Sequence, residues 1–170
     1  MSCSGCGGCG GSYPGGVFAR QGAQGIPGPP GPPGPSVTAT SGFAANTSNA
    51  NINAIVGGTN ISLPDAQSLP TTITVDGTNT FFTVQETGRY LLSYHINTTA
   101  ATLISSRLMV NGVQLSQTVI SPVVAVTNFS AEAIVSLSAG DVISLQLFGL
   151  ISLIVLASGV GASLTIIRVE

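Results

Sequence analysis

From Gly22 to Ser36 the chain reads GAQGIPGPPGPPGPS. Gly22, Gly25, Gly28, Gly31 and Gly34 hold every third position, and both remaining positions of the Gly28 and Gly31 triplets are proline. Three polyproline-II strands can wind about one axis only if every third residue lacks a side chain. Proline between the glycines lowers the entropy of the unwound strand. Ala19 stands in the same frame and ends it upstream. A stiff proline-rich spacer, or a ligand for an aromatic groove, is the plainer reading of such a stretch. Neither needs strict glycine period, so the expectation is a collagen-like triple-helical stem and therefore a homotrimer. At about 3 Å per residue the stem spans on the order of 45 Å. Five triplets cannot hold three chains together alone, so another part of the chain must trimerise first.

The sequence divides into residues 1–16, a Cys/Gly-rich connector; residues 17–36, a bridge and the Gly-X-Y stem; and residues 37–170, where apolar residues begin to alternate with Thr and Ser. Of the 170 residues only 6% are charged, none is lysine, and the formal net charge is −2. Phosphate recognition relies on clustered basic side chains. Four scattered arginines, Arg20, Arg89, Arg107 and Arg168, exclude nucleic acid as the expected partner. The opening MSCSGCGGCGGSYPGG has neither the basic nor the apolar region of a secretory signal. Assembly from inside the cell is the expectation.

Cys3, Cys6 and Cys9 are the only cysteines, spaced C-x2-C-x2-C. No fourth Cys or His lies near to complete a zinc site from one chain, and an iron–sulfur centre fits less well. An odd number of thiols on a glycine-rich tail points to intermolecular disulfides. A tail that keeps its thiols reduced is the bland alternative. No metal, cofactor or catalytic set is expected.

The strand signals fall at Thr71–Val75 before Asp76-Gly77, Thr80–Val84, Arg89–Ile96, and Leu103–Val110 before Asn111-Gly112, a strong hairpin pair. They continue at Val113–Ile120, Val123–Leu137, Val142–Phe148 and Ala162–Arg168. Many short strands without helical period predict an antiparallel all-β sandwich. From Val142 to Ile167 no residue is charged. Length alone would suit a membrane helix. Gly149, Gly159, Gly161, Gln146 and the β-branched content argue instead for strands buried on both faces, by the core and by neighbouring subunits. No membrane partner is expected.

His95 is the only histidine and has no matching catalytic or metal-ligand cluster in sequence. A three-fold axis could gather three copies of it into a pH or metal site, but an ordinary strand histidine is the expectation. Asp76 and Asp141 sit in turn contexts, where aspartate bonds the local backbone. The acids show no pairing for acid–base work. The sequons at Asn46, Asn60, Asn97 and Asn128 follow from an Asn/Thr/Ser-rich composition.

The run Phe82–Tyr90 (FTVQETGRY), then Leu108–Val113 (LMVNGV), Leu137–Val142 (LSAGDV) and Ser163–Ile167 (SLTII) resembles the C-terminal domain of BclA-like collagenous glycoproteins of Bacillus spore exosporia. That domain belongs to the wider C1q/tumour-necrosis-factor jelly-roll group. The resemblance covers about residues 37–170 and implies a jelly-roll trimer capping a collagen stem at an endospore surface. Two departures stand out. The stem is short and has no Thr for O-linked sugar, and a Cys/Gly tail replaces the usual proline-rich leader. Tail, stem and head together look like the subunit of a fibre or appendage, joined head-to-tail to itself through Cys3, Cys6 and Cys9, with other spore-coat or exosporium proteins as further partners. The alternative is a trimeric adhesion head carried on another scaffold.

Overall fold

The computed structural model describes residues 24–31 and 40–170. These fall in two separate units, 24–31 in the first and 40–170 in the second. Of the first, residues 24–31 are exposed and lie in neither helix nor strand.

The second unit is built from strands. They are β1 (Ser41–Ser48), β2 (Asn51–Ala54), β3 (Thr59–Asn60), β4 (Asp65–Ser68), β5 (Ile73–Val75), β6 (Phe82–Val84) and β7 (Gly88–Thr102). There follow β8 (Ser105–Val110), β9 (Val113–Gln114), β10 (Val126–Leu137), β11 (Val142–Phe148), β12 (Ser152–Val155) and β13 (Ser158–Arg168). A five-stranded sheet runs β10-β7-β13-β1-β4, and a six-stranded sheet runs β5-β6-β11-β8-β9 with β3 also on β11. All pairings are antiparallel. The order is a jelly roll: the last strand, β13, lies between the first and the seventh.

Period-two alternation explains the core. In β7 Tyr90, Leu92, Tyr94 and Ile96 are fully buried, while Arg89, Leu91, Ser93 and His95 point the other way. Leu164 and Ile166 of β13 and Ile143, Leu145 and Leu147 of β11 meet them between the sheets. Burying an aliphatic side chain of this size contributes about 1.5–3 kcal/mol.

β2 and β12 pair as a two-stranded ribbon. Leu156 N–H donates to the Ala50 carbonyl, Ala157 N–H to Asn97 and Gly149 N–H to Val56. These bonds tie the ribbon to the end of β7 in one sheet and of β11 in the other. Ile52, Ala54, Ile154 and Leu156 close the core there.

The uncharged run thus forms β11, β12 and β13. Among the described residues no helix is long and apolar enough to cross a membrane. Val113–Ile120 departs from expectation. Only Val113 and Gln114 pair as a strand, and Ser116–Thr118 form a 3-10 turn before a single bridge from Ile120 to Ser106. Thr118 draws the chain inward: its hydroxyl accepts from Leu108 N–H at 3.0 Å and donates to the Leu115 carbonyl at 2.8 Å.

Candidate assembly interface

The outer face of the six-stranded sheet satisfies itself. Arg107 donates to Gln146 at 2.7 Å, to Gln114 at 2.9 Å and to the Gly57 carbonyl at 3.1 Å, and lies 4.1 Å from the Phe148 ring centre. Gln146 in turn donates to Asn60 at 3.1 Å. Gly58 makes room for this network. Its φ is +115°, and a Cβ there would lie 2.3 Å from the Gln146 side chain.

The outer face of the five-stranded sheet is different. Register aligns three rows across it: Ser41, Ile167, Leu91 and Ile134; Phe43, Thr165, Ser93 and Glu132; Ala45, Ser163, His95 and Ser130. Phe43, Leu91 and Ile167 are half-buried, and Ile134 is exposed. The rows hold small hydroxyls, aliphatic groups and one aromatic, with His95 and Glu132 as their only ionisable groups. Ser93, His95, Ser130, Ala131 and Glu132 line a shallow hollow of about 240 Å³. Among the described residues no hydrogen bond links a serine, His95 and Glu132.

At the end where the chain enters through Thr40, polar groups close on one another. Arg168 N–H donates to the Thr40 carbonyl, and Arg89 N–H to Glu170. Glu86 accepts from the Thr40 hydroxyl at 2.9 Å and pairs with Arg168 at 3.3 Å. Arg89 pairs with Glu170 at 3.0 Å, exposed to water. Thr87, Gly88, Arg89, Leu137, Arg168 and Glu170 border a cleft of about 410 Å³.

The other end is apolar. On and beside the β2–β12 ribbon Ile55, Val56, Ile151 and Leu153 are each more than half exposed, with Leu150 next to them. Arg107, held to Gly57, is the cation at its margin.

Cys3, Cys6 and Cys9, with Gly22 and Gly34, lie outside the described residues. Gly25, Gly28 and Gly31 are exposed, and a Cβ at each would meet nothing within 4 Å. His95 is exposed on β7. Asp76 and Asp141 sit in turns, as expected. Among the described residues no three His, Cys, Asp or Glu side chains converge as metal ligands.

Residues 42–170 match the BclA C-terminal domain. The chain belongs to the BclA C-terminal domain family. This domain is associated with the exosporium, which makes the chain a spore-surface protein. The BclA-type head is similar to murine APRIL, with a TM-score of 0.56 at 13% identity over 76% of this chain and 99% of that one. It is also similar to the Eiger TNF of S. frugiperda, with a TM-score of 0.54 at 16% identity over 76% and 91% of the two chains. At these identities the likeness establishes the fold, a tumour-necrosis-factor-like jelly roll. No curated protein matches this BclA-type chain.

Proposed function

We propose that the protein is a structural, non-catalytic subunit of a bacterial endospore fibre or appendage, a homotrimer that joins head-to-tail with itself. The observation that carries this reading is the contrast between the two sheets. One outer face carries a polar network centred on Arg107; the other offers hydroxyl and aliphatic rows whose side chains make no hydrogen bonds among the described residues, which suits a second and third copy. The stem supports it independently. Among the described residues nothing lies within 4 Å of a Cβ placed at Gly25, Gly28 or Gly31, and strict glycine period suits neighbouring chains packed at a common axis.

The connector completes the subunit. Residues 1–19 carry no charge, which suits the apolar ribbon end of a neighbouring head. A head-to-tail contact does not close on itself and so propagates. Disulfides through Cys3, Cys6 and Cys9 lock successive trimers. Negative-stain microscopy of the full chain, with and without reductant and beside the C3S/C6S/C9S variant, tests this. Beaded filaments lost in the variant are expected. Isolated knobs under every condition would overturn the fibre and leave a trimeric adhesion head.

A further inference from the structure

Among the described residues every arginine has a hydrogen-bond partner within the chain, and so does every carboxylate but one. The exception is Glu132. His95, its diagonal neighbour across β7 and β10, is also unbonded. The unmatched acid and the lone imidazole therefore share one hollow, on a face whose other charged groups, Arg89 and Asp65, are bonded elsewhere in the chain.

That placement has a consequence for whatever covers the face. A carboxylate removed from water without a partner costs several kcal/mol. An apolar partner would impose that cost, so the covering surface must bring a donor to this spot. Another copy of this chain does so, because it carries His95 beside its own Glu132, and at a three-fold axis the His95 of each copy meets one neighbour while its Glu132 meets the other.

We propose that the hollow is half of an intersubunit contact, in which the His95 imidazole N–H of one copy donates to the Glu132 carboxylate of the next. This rests on the trimer reading and names its contact. A closed three-fold ring would repeat the contact once at each interface. Ser93 and Ser130 supply hydroxyls for the remaining lone pairs. Its role is registry: aliphatic rows alone tolerate sliding, whereas one buried polar pair fixes the offset between copies.

The test uses the full chain under reductant. Light scattering follows the urea concentration at which trimers dissociate, at one fixed protein concentration. His95→Ala and Glu132→Ala are each expected to lower that midpoint by about 1 M. The double alanine variant should be little worse than either, since both remove one contact. The exchange variant H95E/E132H should recover most of the loss. Single variants that leave the midpoint unchanged, or an exchange variant no better than the singles, would overturn the pairing while the trimer stands. A wild-type chain that scatters as a monomer would overturn the trimer reading itself.

Discussion

Tyr94 carries its hydroxyl into the space between the sheets, where it donates to the Thr118 carbonyl at 2.8 Å and meets Ser106 Oγ at 2.9 Å. Burial raises the phenol above its ordinary pKa. Tyr94→Phe would strand both partners in the core and is expected to cost about 1–3 kcal/mol, read by urea denaturation. Asp76 organises its turn outright. Its carboxylate accepts from the Thr78 hydroxyl and from the backbone N–H groups of Thr78, Thr80 and Phe81. The Thr78 hydroxyl, then those N–H groups, hold it far below the ordinary aspartate value of 3.8. Thr47 N–H lowers Asp65, and the Asn111 amide lowers Asp141. A carboxylate depressed in the folded state contributes stability above its unfolded pKa and loses it as pH falls through the folded one. The melting temperature should therefore hold from neutral to about pH 5 and fall below about pH 4. Asp76→Ala should flatten that fall. Gly58→Ala combines a positive φ with a clash against Gln146, and should lower the melting temperature by several degrees, about 1–3 kcal/mol.

At the scale of elements, much of the fold was legible where side chains alternate. Val142–Phe148 is β11 to the residue, and Asn111-Gly112 turns β8 into β9 with φ of 51° and 76°. β1 left no such signal. Its inward positions are Gly42, Ala44 and Asn46; Ile73 and Leu69 press on Gly42, where a Cβ would lie 2.9 Å from Ile73 Cδ1. β4 (Asp65–Ser68) is equally polar, held by edge pairing to β1. The ribbon was hidden because β12 lay inside an apolar run that periodicity could not divide. Of the candidate interface, His95 was visible as a lone histidine on a strand. Its neighbours Ser130 and Glu132 come from another strand, and only register brings them together. The ribbon's structural share is testable: Leu156→Ala should cost about 2–5 kcal/mol, since both sheets end on it, measured by chemical denaturation.

For the whole molecule, the scarcity of charge sets the response to solvent. Only two ion pairs occur among the described residues, one of them exposed on both sides. Surface pairs of that kind contribute about 0–1 kcal/mol and are screened by salt. The head's melting temperature in 1 M sodium chloride should stay within about 2 °C of its value at low salt, by calorimetry. The same scarcity has a kinetic side. In the native head β11, β12 and β13 are separated among three sheets, each paired with strands from elsewhere in the sequence. In a nascent or denatured chain they are one contiguous uncharged segment of high β-propensity, with no gatekeeper residue to interrupt intermolecular stacking. Refolding yield should accordingly drop steeply with concentration. Staying folded is how this chain keeps its own last strands from becoming an amyloid template.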